Sequence, residues 1–189
     1  MKEQGPAAPP AALGMPHRRL FQGDPARLPA GARVAVVVSR YNARVTEPML
    51  EGAVRTLLAA GLGRHSLDVA RVPGAFELSL AADRLAATGA YDALICLGAI
   101  IRGETTHDRH IADAVAVGLE QVGRARGIPV VFGVLTCQSI EQAVARAGGD
   151  TGVPRHSNKG EECAAAAIEM LSMLEQVALA AGPAAGRRD

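Results

Sequence analysis

Ala93-Leu94-Ile95-Cys96-Leu97-Gly98-Ala99-Ile100-Ile101 is the longest unbroken apolar run in the chain. No polar side chain alternates through it, so a strand covering Ala93 to Ile100 must be buried on both faces, as strands inside parallel sheets are. Toward the N-terminus, the β-branched run Val34 to Val38 precedes Leu50, Val54, Leu57 and Leu58 at helical spacing, with a stop at Gly61. A further strand, Leu67 to Val72, leads into a helix from about Glu77 to Ala87 with Leu78, Ala81, Ala82 and Leu85 on one side. Toward the C-terminus, Ile111, Ala114, Val115, Gly118, Leu119 and Val122 make one stripe of a helix from about Asp108 to Ala125. Gly127 and Pro129 end it before a strand at Val130 to Leu135. Ser139 with Gln142 reads as a capping box for a short helix. Asn158 with Glu161 caps a last helix to about Ala180, buried through Ala164, Ile168, Leu171 and Leu174.

Parallel strands need crossover connections, and these are overwhelmingly right-handed. The order therefore predicts an α/β fold: a flavodoxin-like, doubly wound, four-stranded parallel sheet with helices on both faces. A chain of 189 residues suits one domain. Residues 1–30, rich in Pro, Ala and Gly, read as a flexible arm whose end can settle on the body or a neighbour; 31–181 form the domain and 182–189 a flexible tail.

A formal net charge of +1 offers no broad footprint for nucleic acid or an anionic membrane surface. The longest apolar run is well short of the ~20 residues that span a bilayer, and no leader pattern opens the chain. Cys96, Cys137 and Cys163 are odd in number and widely spaced, against both a disulfide framework and a zinc cluster, and they suit a reducing cytoplasm. Aromatics are only 3% of residues, so the core rests on Val, Ile, Leu and Ala and would gain from association between subunits. Among twenty basic residues only Lys2 and Lys159 are lysines, which singles out Lys159 inside the folded part.

In open α/β sheets, ligands bind beyond the carboxyl ends of the strands. Unusual residues gather there: Ser39-Arg40-Tyr41-Asn42 after the first strand, Pro73-Gly74-Ala75-Phe76-Glu77 after the second, Ile101-Arg102-Gly103-Glu104-Thr105-Thr106-His107 after the third, and Thr136-Cys137-Gln138-Ser139 after the fourth. Gly74 and Gly103 permit close backbone approach, and the helix starts beyond them suit an anion. Asn42 and Glu77 each sit where a helix begins, so helix capping is their ordinary role.

Val72 to Glu77 (V-P-G-A-F-E), Leu97 to His107 (L-G-A-I-I-R-G-E-T-T-H), Ser39 to Asn42 (S-R-Y-N), Ile128 to Thr136 and Ile140 to Gly148 together resemble, in order, the signature segments of lumazine synthases. The resemblance spans about Val34 to Met170. It implies condensation of 5-amino-6-(D-ribitylamino)uracil with 3,4-dihydroxy-2-butanone 4-phosphate to 6,7-dimethyl-8-ribityllumazine in riboflavin biosynthesis, with no cofactor and no metal. It implies His107 for proton transfer, fitting an imidazole that exchanges protons near neutral pH. It implies Tyr41, Asn42, Ala75, Phe76, Glu77, Ala99, Ile100, Ile101 and Phe132 around the ribitylaminouracil, with tyrosine at 41 where the family carries Phe or Trp. Glu104, Thr105 and Arg146 would meet the phosphate, Glu104 through its amide with its carboxylate turned away. Lys159 and Glu162 match a segment near the site. It further implies a homo-oligomer, a pentamer or paired pentamers, in which Phe132, Arg146 and Lys159 come from the copy beside the one supplying Tyr41, Glu77 and His107, with riboflavin synthase as a candidate partner. Residues 149–157 exceed the short linker of shell-forming members by about five, which favours free or stacked pentamers.

Two other readings compete. A paralogue could hold flavin or lumazine without turnover, although His107, Arg146 and Lys159 favour the enzyme. Cys137 with His107 could form a thiol and base pair, although a buried cysteine acting as a small hydrophobe is commoner.

Overall fold

The computed structural model describes residues 18–149 and 158–181. The first half of the expected arm, the inserted segment 150–157 and the expected tail lie outside the described residues. The strands are β1 (Val34–Ser39), β2 (Leu67–Val72), β3 (Ala93–Ile101) and β4 (Val130–Cys137). The α-helices are α1 (Ala43–Ala59), α2 (Leu78–Ala87), α3 (His107–Arg126), α4 (Ile140–Arg146) and α5 (Lys159–Ala181). The sheet is parallel, as the alternation of elements predicts, and its strand order is β2-β1-β3-β4.

Successive side chains of a strand point to opposite faces, and the core divides accordingly. Val34, Val36, Val38, Ile95 and Leu97 pack with α1, α4 and α5 on one face. Ala35, Val37, Leu94, Cys96 and Ile100 pack with α2 and α3 on the other. β1 and β3 are enclosed on both sides, which is why their sequences carry no polar alternation. β2 is an edge strand with Asp68 and Arg71 exposed.

Several local expectations are corrected. Ala114, read as part of the buried stripe of α3, is exposed, because the helix turns its packed face through Ile111, Ala112, Val115, Leu119 and Val122 and leaves Ala114 on the flank. At α4, Ser139 Oγ accepts from Gln142 N at 3.4 Å, but Gln142 Oε1 accepts from Gln138 N at 3.0 Å, one residue earlier than a capping box requires. At α5, Asn158 does cap, whereas the Glu161 side chain pairs with Arg55 of α1.

Residues 18–30 lie along α5: Asp24 N donates to Ser172 Oγ at 3.3 Å, Arg27 pairs with Glu175 at 2.7 Å, and Leu28 packs on the core. By length and composition α5 could cross a membrane, a feature hidden from a search for unbroken apolar runs. A third of its most apolar window is buried, and Cys163, Ala164, Ala167, Ile168 and Leu171 form its core face.

Burial pushes the Cys96 thiol up to about 12, and burial likewise raises Cys163 to about 11. Both folded values exceed that of an unfolded thiol, so the folded chain keeps these protons longer. Their stabilising contribution is therefore complete below about pH 8.5 and is lost as pH rises toward the folded values. The urea midpoint is expected to fall across this alkaline window, and the fall should be shallower in Cys163→Ala; an equal slope in the variant would refute the assignment.

Candidate active site

β1 pairs with β3 only as far as Val38 and Leu97, whereas β3 continues beside β4 to Ile101. The chain leaves β1 toward β2 on one side, and β3 is followed on the other side by β4, so the turns diverge and a crevice opens between them. The cavity there has a volume of about 580 Å³ and is bounded by the turns after β1, β2 and β3 and the first turns of α3.

Asn42 enters α1 in the left-handed conformation, φ 60°. Asn tolerates this region better than most residues that carry a Cβ. Its carbonyl accepts from Val45 and Thr46 N, but its side chain does not cap α1. Instead Asn42 Nδ2 donates 2.9 Å across the crevice to the Ala99 carbonyl, on the part of β3 that has passed the end of its pairing with β1. The capping role expected of Glu77 is corrected in the same way. Its carboxylate accepts from Gly74 N at 2.8 Å and closes the turn onto itself.

Tyr41 N donates to Pro73 O at 3.0 Å, which lays the tyrosine against that turn. A Cβ on Gly74 would lie 3.0 Å from the Tyr41 ring and 3.2 Å from Glu77 Oε2, tighter than ordinary contact, so glycine lets both side chains close on this turn. Tyr41 and Phe76 are 68% and 60% exposed in a chain with only five aromatic residues. Two large aromatic faces left bare at a cavity mark a place for a flat ligand.

Of the sequence-predicted residues, Tyr41, Asn42, Ala75, Phe76, Glu77, Ala99, Ile100, Ile101, Thr105 and His107 line this cavity, together with Gly74 and Gly103. Glu104 is exposed and does not line it. Phe132, Arg146, Lys159 and Glu162 do not line it either. Phe132 is 40% exposed on the edge strand β4, and its carbonyl faces Cys163 Sγ at 4.0 Å. Arg146 ends α4, and Lys159 opens α5 with its Nζ 3.0 Å from Glu162 Oε2. The chain thus carries two separate groups of predicted site residues.

Sequence reasoning missed Asp108, His110 and Ile111, which also line the cavity. Helical spacing was the available signal for His110 and Ile111, at i+3 and i+4 from His107; Asp108, at i+1, carried none. Cys137 does not line the cavity; burial raises its thiol while the charge of Arg146 lowers it less, the reverse of what an activated nucleophile needs.

A family model described as 6,7-dimethyl-8-ribityllumazine synthase matches residues 31–175. The chain belongs to this family. It is 47% identical over 155 residues to the 6,7-dimethyl-8-ribityllumazine synthase of Xanthomonas euvesicatoria pv. vesicatoria (strain 85-10), covering 82% of this chain and 96% of the relative. It is 47% identical over 157 residues to that of Stenotrophomonas maltophilia (strain K279a), covering 83% and 97%. The lumazine synthase match includes every element from β1 to most of α5.

The bond from Asn42 to Ala99 gives a direct test. Asn42→Gly and Asn42→Ala both lose the amide; glycine adopts the left-handed conformation without penalty, whereas alanine keeps a Cβ there without the polar side chain that lets asparagine tolerate it. The alanine variant is expected to be less stable than the glycine variant by about 1 kcal/mol in urea unfolding; equal stabilities would mean that the left-handed entry to α1 is not required.

Proposed function

We propose that this chain is a working enzyme of riboflavin biosynthesis, a transferase condensing 5-amino-6-(D-ribitylamino)uracil with 3,4-dihydroxy-2-butanone 4-phosphate into 6,7-dimethyl-8-ribityllumazine. The observation that carries this reading is the convergence of Tyr41, Asn42, Ala75, Phe76, Glu77, Ala99, Ile100, Ile101, Thr105 and His107 on one cavity. Its volume of about 580 Å³ is in the range of small-molecule sites.

The pyrimidine lies against Tyr41 and Phe76, its edge bonded by backbone groups of β3 and of the Ala75 to Glu77 turn. Glu77, held by Gly74 N, offers its other oxygen to a ribityl hydroxyl. The phosphate lies by Gly103 and Thr105 at the start of α3, where no side chain caps the free N–H groups. An amine of the pyrimidine attacks the ketone and one water leaves as the imine forms. Loss of the C3 proton then expels phosphate from C4, and the second amine closes the ring with loss of another water. His107, the first residue of α3, takes and returns the proton. Much of the acceleration comes from holding two reactants side by side.

Phe132, Arg146 and Lys159 serve the cavity of a neighbouring copy, with Glu162 orienting Lys159. Arg146 supplies a planar fork to the phosphate. A homopentamer, single or stacked in pairs, follows from this sharing, as does inactivity of a lone chain. The cysteines, all free, suit a reducing cytoplasm, and riboflavin synthase is the partner that consumes the product.

Mixing the protein with both substrates should produce lumazine fluorescence, and its absence would leave a binding protein only. His107→Ala is expected to lower kcat about 100-fold. Co-refolding His107→Ala chains with Arg146→Ala chains should restore activity that neither possesses alone, because mixed rings contain intact shared sites. No recovery would place the whole site within one chain.

A further inference from the structure

The tightest junction in the described structure lies away from the cavity, where α1, α4 and α5 meet around Asn158. This residue is nine-tenths buried, and its side chain is fully employed. Asn158 Nδ2 donates to the Pro48 carbonyl at 2.8 Å and to the Ala147 carbonyl at 2.7 Å. Its Oδ1 accepts from Gly160 N at 2.8 Å and Glu161 N at 3.3 Å. Two donors and two acceptor positions exhaust what a carboxamide offers.

The surrounding backbone leaves no slack. A Cβ on Gly52 would lie 2.6 Å from Asn158 Oδ1, and one on Gly160 would lie 1.8 Å from the Met49 carbonyl. A Cβ on Gly148, whose φ is 81°, would lie 3.0 Å from the Asn158 side chain. Helix capping alone does not account for this arrangement. A serine or aspartate could accept from the first turn of α5, but neither could also donate to α1 and α4 at once.

The bonded groups adjoin the two cations. Ala147 directly follows Arg146 at the end of α4, and Gly160 directly follows Lys159 at the start of α5. α4 packs against β4, and Arg146 at its end lies close enough to Cys137, at the carboxyl end of β4, to offset part of the rise that burial imposes on that thiol. We propose that Asn158 is a positioning residue for catalysis: by tying the end of α4 and the start of α5 to α1, it presents Arg146 and Lys159 in one fixed geometry to the cavity of a neighbouring copy. The inference rests on the shared-cavity reading above. Asn158 itself touches no substrate, and its effect passes through the aim of Arg146.

Asn158→Asp and Asn158→Ser, made in the full chain, keep an acceptor for the α5 amides and lose the paired donation to Pro48 and Ala147. Both are expected to assemble. The KM for 3,4-dihydroxy-2-butanone 4-phosphate should rise between about 10- and 100-fold, the scale expected when a remote change misplaces a binding group. The KM for the ribitylaminouracil should stay unchanged. In an Arg146→Ala background, Asn158→Asp should add nothing further to the KM for the phosphorylated ketone, a non-additivity that a purely structural role would not produce. Unchanged KM values, an equal rise in both, an additive effect beside Arg146→Ala, or loss of assembly in both variants would each overturn the inference. If Arg146→Ala alone leaves the KM for the phosphorylated ketone unaltered, the shared-cavity reading has failed and takes this inference with it. If Arg146→Ala raises it while neither Asn158 variant does, the inference alone has failed.

Discussion

The mismatch in length between two neighbouring strands governs this molecule. β1 ends at Ser39 while β3 runs on to Ile101, so the last residues of β3 lack a strand partner on the β1 side. A buried backbone without partners is costly, and the chain meets that cost partly with Asn42, whose amide reaches Ala99. The remaining polar edge of β3 becomes a floor on which a ligand can bond. The left-handed entry to α1, the self-closed turn at Gly74 to Glu77 and the start of α3 form its walls.

The two faces of the sheet divide the work. α2 and α3 continue the turns that form the cavity, and their exposed apolar residues, Leu80 and Val117, lie on the same side of the sheet. α1, α4 and α5 form the opposite layer, where small residues bring backbones nearly into contact and Asn158 locks three helices together. Rigidity in that layer and accessibility in the other suit a protein that offers a cavity on one side and helix ends carrying cations elsewhere.

Most of the cavity was legible in the sequence because it is built from turns, where residue types are constrained locally. Gly74 lets Tyr41 and Glu77 close on their turn, and strand ends can be located from apolar runs. His110, weighed beside His107 only as a weak metal ligand, and Asp108 were not placed in the site because a short motif does not show which side of a helix start faces a cavity. The capping roles expected of Asn42 and Glu77 failed for a related reason: a local rule pairs a side chain with its own helix, whereas here the better partners lay across the crevice and within the preceding turn.

By itself the sequence determined the order of elements, the two-faced burial of β1 and β3 and the residues of the turns after β1, β2 and β3, since periodicity and turn chemistry act over a few neighbouring residues; the turn after β4, read with them, does not line the cavity. Only the tertiary structure decided that Asn42 reaches Ala99 rather than capping its own helix and that Asn158 joins Pro48 to Ala147. The bonds of Asn158 to Pro48 and to Ala147 span 110 and 11 residues of chain and depend on how helices pack against one another, which no local pattern encodes.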